Sequence, residues 1–202
     1  MIKNIVFDLG GVIIDYTPEK IVSGRFDEET CCYIIDNIFH SPEWNEIDRG
    51  VTTPDEAFGY LKERLGEENY CRIIDIVDNL GDYMPPFEDT YFLIERLKKA
   101  GWPIYLLSNI PPYFYRCREN IPALRFFDGT VISSDIKMCK PEIGIFEHLC
   151  TEFGLSPSEC VFIDDMQKNV DGAVKAGFSG ICFANHDIPA LEASLRELGI
   201  SF

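Results

Sequence analysis

The sequence predicts an α/β fold built on a parallel sheet with helices on both faces, and with a helical insert after the first strand. Three features carry this prediction. Short β-rich runs alternate with helical patterns over residues 1–15 and again over residues 88–202. The helical patterns in the second stretch close on glycines. Residues 16–87 show helical spacing instead. Strand–helix alternation puts crossover helices on the faces of a parallel sheet, and ligands then bind beyond the carboxyl ends of the strands.

The expected strands are Asn4–Asp8, Pro103–Ser108, Thr130–Ser133, Cys160–Asp164 and Gly180–Phe183. A helix over about Asp89–Ala100 stops at Gly101, a residue suited to closing a helix in the left-handed conformation. A second helix starts at Pro141, aligns Ile145, Phe146, Leu149 and Phe153 on one face, and stops at Gly154. A third covers about Lys168–Ala176 and ends at Gly177. In the insert, Cys31, Ile34, Ile35 and Ile38 fall at helical spacing, as do Tyr70, Ile73, Ile74 and Val77. Thr53-Pro54-Asp55-Glu56 forms a capping box with proline at the first helical position, followed by Phe58, Leu61 and Leu65. A small helical bundle set over strand ends is well placed to act as a lid.

Composition narrows the function classes. The chain has 202 residues, 46% of them hydrophobic and 26% charged, the balance of an ordinary globular protein long enough to bury a core. Its formal net charge of −16 opposes nucleic acid as a partner. No apolar run reaches bilayer-crossing length, so no membrane partner is expected. The N-terminal MIKNIVFDLGG is interrupted by Asp8 and reads as a core strand, not a signal peptide, which places the chain in the cytoplasm. The eight cysteines include no CxxC pair. Cys71, Cys150, Cys160 and Cys182 lie singly in apolar segments and are expected to be buried reduced thiols, with Cys31–Cys32 filling a helix core.

Four places in the chain carry chemistry. Asp8 leaves an apolar strand into Leu9-Gly10-Gly11, which holds a carboxylate at the sheet edge beside N–H groups suited to an anion. Ser108-Asn109 ends the second core strand in the same way; residues of these types also commonly start turns. Lys140-Pro141 places a cation at a helix N-terminus, where it opposes the helix dipole and makes sense if it reaches an anion. Asp164-Asp165 ends a strongly apolar strand, with Asn169 and Asp171 one turn on. Adjacent carboxylates repel unless a cation lies near them, and with Asp8 they supply the hard oxygen ligands that magnesium prefers. Helix capping by Asp165 explains one of the two acids but not both.

Taken in order, strand-Asp, strand-Ser-Asn, Lys-Pro-helix and strand-Asp-Asp resemble the four motifs of the haloacid dehalogenase superfamily, over about Ile5 to Phe183. The insert resembles that superfamily's helical cap of the type placed between motifs one and two. The resemblance implies a three-layer Rossmann-like core of residues 1–15 and 88–202 with strand order 5-4-1-2-3, and a cap over residues 16–87. It implies a magnesium-dependent hydrolase that removes phosphate from a small phosphorylated substrate. Asp8 would be the nucleophile, and Mg2+ would be held by Asp8, the carbonyl of Gly10 and Asp165, with Asp164 close by. Ser108, Asn109 and the N–H groups after Asp8, that of Gly11 among them, would bind the transferring oxygens. Lys140 would neutralise charge between Asp8 and the phosphate, and Asn169 would stand behind the metal ligands.

One departure stands out. Phosphatases of this superfamily usually carry an aspartate two residues after the nucleophile as general acid and base, and here that residue is Gly10. Loss of such a group costs on the order of 10²–10⁴-fold in rate. The pattern resembles a branch of sugar-phosphate phosphatases with glycine at this place, which makes a sugar phosphate the expected substrate class. Asp48 and Asp15 are the cap-side candidates for the missing acid. Trp44, Tyr16 and Arg49 are candidates to contact the leaving group, although Trp44 equally suits the cap's own core. A 2-haloacid dehalogenase shares the nucleophile and also lacks the second aspartate, but it needs no metal and usually has no acidic pair. A low-turnover regulatory protein that binds metal and phosphate is the other alternative, and a phosphomutase a weaker one.

Overall fold

The computed structural model describes residues 1–202. Five strands, β1 (Asn4–Phe7), β2 (Ile104–Ser108), β3 (Gly129–Ile132), β4 (Cys160–Asp164) and β5 (Ser179–Cys182), form one sheet in the order β3-β2-β1-β4-β5. All four pairings are parallel. Read from the other edge, this is the 5-4-1-2-3 order that the resemblance implied. The chain steps outward from β1 to β2 and β3, then returns to place β4 on the opposite side of β1. That reversal opens a crevice at the carboxyl end of β1, where Asp8 stands.

Alternation along the strands sets the layers. Ile5 and Phe7 of β1, with Val161 and Ile163 of β4, face one way and pack with Leu93 and Leu97 of α6 (Glu88–Lys99) and Leu191 and Leu195 of a C-terminal helix, Ile188–Glu197. Val6, Leu107 and Phe162 face the other way, onto Ile145, Phe146 and Leu149 of the helix Ile143–Phe153 and Ala173 of the helix Gln167–Lys175. Strands buried on both faces read as continuous apolar runs, which is why β1 and β4 stood out. The helix expected to start at Pro141 starts at Ile143 instead and closes at Gly154, whose φ of 65° is left-handed. The C-terminal helix was not anticipated, although Asp187 caps it by accepting from the Ala190 N–H.

Between β1 and α6 the chain forms α1 (Pro18–Val22), α2 (Glu28–Ile34), α3 (Glu43–Asp48), α4 (Pro54–Phe58) and α5 (Lys62–Asp78), with no named strand. The capping box at Thr53 and Glu56 forms in both directions. Ile21, Ile34, Ile38, Trp44, Phe58 and Ile73 of this insert join the same apolar cluster as Ile5, Phe7 and Leu93. The insert is therefore packed down onto the sheet layer. No helix is long and apolar enough to cross a membrane. All eight cysteines are free thiols, but the expectation of burial holds only in part. Cys150 and Cys160 are buried, whereas Cys71 and Cys182 are exposed. Cys182 lies on the edge strand β5, where alternation turns it outward, and Cys71 sits on the solvent side of α5.

Candidate active site

Three of the motifs lie at the carboxyl ends of β1, β2 and β4 and the Lys140 motif lies in the loop that follows β3, and all four converge on one cavity of about 480 Å³. Asp8, Gly10, Ser108, Asn109, Lys140, Asp165 and Asn169 line it from the sheet side. Tyr16, His40, Trp44, Asn45 and Asp48 line it from the insert. Asp8 is the first residue past β1, and the chain then turns so tightly that the Leu9 carbonyl accepts from the N–H groups of Val12, Ile13 and Ile14. The N–H groups of Leu9 and Gly10 enter no backbone hydrogen bond and remain for an anion.

Gly11 has a different role from the one expected. Its N–H donates to the Ile14 carbonyl at 2.9 Å, so it is not available to a phosphate. Its φ is +70°, and a Cβ there would lie 2.3 Å from Asp165 Oδ2. Glycine at this position lets β1's turn and the Asp165 carboxylate approach one another.

Lys140 is the centre of the charge arrangement. Its Nζ lies 2.6 Å from Asp8 Oδ1 and 2.7 Å from Asp164 Oδ2, and only 3% of the residue is exposed. An uncompensated buried ion costs several kcal/mol, so a fully buried Asp164 needs every one of its partners. Those are Lys140, the Met166 N–H at 2.8 Å, and Asn169 Nδ2 at 3.0 and 3.1 Å. Asn109 fixes the lysine's backbone in both directions: its Nδ2 donates to the Lys140 carbonyl at 3.0 Å, and its Oδ1 accepts from the Lys140 N–H at 2.8 Å. Asn109 holds Lys140 in place. Asp171 faces solvent and accepts from Gln167, away from the cluster.

Oxygens of Asp8, Asp164 and Asp165 lie within 4.8 Å of one another. Burial pushes the Asp8 carboxyl up to about 8 against the pull of Lys140, with Asp164 and Asp165 adding to the rise. Burial likewise raises Asp165 to about 6, helped by Asp164. Lys140 moves upward because Asp164 and Asp8 outweigh its burial, so it stays charged. Three carboxylates against one ammonium leave two negative charges to be met when all ionise. Asn169 Oδ1 is also buried without a donor. An orphaned acceptor beside excess carboxylate charge is the signature of a cation or its bound water, and an all-oxygen set suits a hard divalent ion.

The insert is strapped to the sheet layer at Asp48-Arg49-Gly50. The Asp48 carbonyl accepts from Ser133 Oγ, the Gly50 carbonyl accepts from Lys137 Nζ at 2.6 Å, and Arg49 forms a two-pronged pair with Glu142. Arg49 was expected to meet a leaving group. It is occupied by this clamp and does not line the cavity. Tyr16 and Trp44 do line it, and Trp44 also packs on Phe39 and Phe58, so it serves both wall and core. Asp15 lies outside the cavity, and Lys20 and Thr17 hold its carboxyl below the usual range despite partial burial. The strap joins residues 85 to 93 positions apart, so no local pattern announces it.

Comparison with known proteins agrees with this geometry. The family model described as haloacid dehalogenase-like hydrolase matches residues 2–177. A sesquiterpene phosphatase of Aspergillus oryzae is 30% identical over 197 residues, covering 97% of this chain and 96% of its own. A D-ribitol-5-phosphate phosphatase of Bacteroides thetaiotaomicron is 28% identical over 194 residues, covering 88% and 90%. A solved haloacid dehalogenase-family enzyme from Bacteroides thetaiotaomicron, in complex with magnesium and inorganic phosphate, matches with a TM-score of 0.70 at 25% identity, over 95% of this chain and 99% of that one. With the four motifs at one cavity and the family match running across them, this chain belongs to the haloacid dehalogenase-like hydrolases.

Proposed function

We propose that this chain is a magnesium-dependent phosphomonoester hydrolase that works through an aspartyl phosphate on Asp8. The observation that carries the reading is the Asp8 carboxylate on the cavity floor, with one oxygen held by Lys140 at 2.6 Å beside the Asp164–Asp165 pair. An oxygen so held leaves the other directed by the same contact, which is what a nucleophile needs. Asp8, Asp165 and the Gly10 carbonyl would hold the metal, and Asp164, whose oxygens already accept from Lys140, Asn169 and Met166, would act behind them. When bound, magnesium supplies charge neutralisation at the phosphoryl oxygens.

The chain's own residues account for the rest. The N–H groups of Leu9 and Gly10, with the Ser108 hydroxyl, would receive the transferring oxygens, and Lys140 would offset charge between them and Asp8. Phosphoryl transfer asks mainly for such positioning and charge balance. The acidic pair argues against dehalogenation, which needs no metal. The substrate class is a small phosphorylated metabolite, with sugar phosphates the first choice. His40, Ser41 and Asn45 offer hydrogen-bonding groups on the cap side, and Trp44 and Tyr16 offer apolar faces. The two phosphatases named above support the reaction type.

The test is phosphate release from a panel of sugar phosphates and an aryl phosphate, with magnesium and with chelator, using Asp8→Asn as the blank. Release that requires both magnesium and Asp8 is expected. Absence of release from every ester, together with halide release from 2-haloacids, would overturn the reading in favour of dehalogenation.

A further inference from the structure

The proposed reaction lacks a proton donor on the motif turn, because Gly10 stands where one is usually carried. We propose that Asp48, on the insert, is the catalytic acid and base: its carboxyl protonates the departing alcohol and then takes the proton of the attacking water. The proposal rests on the phosphatase reading.

Three structural observations support it. Asp48 lines the same cavity as Asp8 and Lys140 but is carried by the insert, whereas they are carried by the sheet layer, and a leaving group directed away from Asp8 toward the insert would meet it. It is buried, with 8% of the residue exposed, and no hydrogen bond reaches its carboxyl. A carboxyl on a mostly buried residue that pairs with nothing in the chain and opens onto the cavity points to a role toward whatever occupies that cavity. Third, the chain from the Asp48 carbonyl to Gly50 is fixed to the sheet layer. Ser133 holds its carbonyl, and Lys137 and Glu142 hold Gly50 and Arg49. At Gly50, φ is +66° and a Cβ would come within 2.9 Å of Ser134 Cβ, so the strap needs glycine to seat this closely. A side chain on a mobile cap would be a poor proton donor; this one is positioned by the core.

The other titratable groups of the cavity are occupied or unsuited. Lys140 is tied to Asp8 and Asp164, and Asp165 is assigned to the metal. Burial raises Tyr16 and Tyr113 far above the working range. His40 has a largely exposed side chain, near Asp36 on the surface. The charged groups facing Asp48 are Lys140 and Lys168, both of which favour its ionised form. Burial outweighs them and raises Asp48 to about 7, where a group can both give and accept a proton. Tyr16, Tyr113 and Cys139 are the remaining titratable neighbours that feel its charge.

The steps balance. In the first, an oxygen of Asp8 bonds to phosphorus, the P–O bond to the leaving group breaks, and the Asp48 proton passes to the alkoxide. In the second, water oxygen bonds to phosphorus, the bond to Asp8 breaks, and the water's proton returns to Asp48. The net change is ester plus water to alcohol plus phosphate.

The experiment is kcat/KM for the parent, Asp48→Asn and Asp48→Ser over a leaving-group series, from nitrophenyl phosphate to a simple alkyl phosphate with no other hydroxyl. A nitrophenolate needs no proton to leave, so the variants should lose less than about 10-fold on that ester, while on the alkyl ester they should lose on the order of 10²–10⁴-fold. The parent's kcat/KM for the alkyl ester should also fall as pH rises through about 7, and that limb should vanish in both variants. Equal losses across the series, or no loss on the alkyl ester, would overturn the proposal while leaving the phosphatase reading in place. A parent with no Asp8-dependent release from any ester would overturn both.

Discussion

Replacing Lys140 by Met keeps most of the side chain's volume and removes only the ammonium, so it isolates the charge network from packing. Lys140, Asp8 and Asp164 are 3%, 7% and 0% exposed, and the two contacts are 2.6 and 2.7 Å. Removing one partner from a buried ionic group costs about 3–5 kcal/mol, because the carboxylates left behind are neither solvated nor paired. For a chain of this size about 1 kcal/mol moves the midpoint by about 2–4 °C, so a drop of roughly 6–20 °C is expected. The assay is thermal unfolding followed by circular dichroism in chelator. The sign of the pH dependence follows from Asp8. Its folded-state carboxyl lies at about 8, well above the ordinary 3.8, so the stability it contributes is full below about 4 and is lost as pH rises through about 8. The lysine matters only to the ionised form, so the gap between parent and Lys140→Met should widen from pH 5.5 to pH 8.5. Adding Asp164→Asn to Lys140→Met should recover part of the loss. A variant within about 1 kcal/mol of the parent at pH 8.5 would refute the reasoning, since that is the range of an exposed pair.

Magnesium should stabilise the parent by about 2.7 kcal/mol at one hundred times the dissociation constant and so raise its unfolding midpoint, and the rise should be larger at pH 8 than at pH 6. The reason is that Asp165 and Asp8 are raised to about 6 and about 8 and must lose protons to bind the ion; a midpoint indifferent to magnesium at pH 8 would contradict the site. Asp165→Asn should raise the magnesium concentration needed for half activity, and an unchanged requirement would move the ligand role elsewhere. Gly11→Ala should do the same and also destabilise the fold, because its Cβ would stand 2.3 Å from Asp165 Oδ2 at a φ of +70°; a silent substitution in both assays counts against the close approach. Gly10→Asp should recover part of the poor-leaving-group turnover lost in Asp48→Asn with metal affinity little changed, since a Cβ there makes only an ordinary 3.4 Å contact with Tyr16. No recovery in the double variant would speak against a proton donor as what Asp48→Asn removes.

The fold was readable where local chemistry was unambiguous. The β1 and β4 runs are apolar on both faces and end at carboxylates, so their limits came within a residue. The helix after Lys140 was displaced by two residues because Pro141 lies before the helix, with Glu142 as its N-cap. The helix Ile188–Glu197 passed unnoticed even though Asp187 caps it and Leu191 and Leu195 share a face. In the site, Asp8, Lys140, Asp164 and Asp165 were identifiable because buried charge at strand ends has few structural uses. Asn109 was not, since an amide serves a ligand and a neighbouring backbone equally well, and only the fold brings it against Lys140. Arg49 misled for a related reason: a cation in a cap suits a phosphate, but Glu142 lies 93 residues away and claims it.

The central claim is that Asp8 attacks phosphorus. The stereochemical course at phosphorus, followed with an isotopically chiral phosphate ester and the magnesium-loaded parent enzyme, tests it most directly. Two successive in-line displacements through an aspartyl phosphate predict net retention of configuration. Net inversion would mean that water attacks the ester directly, and Asp8 would then have no covalent role.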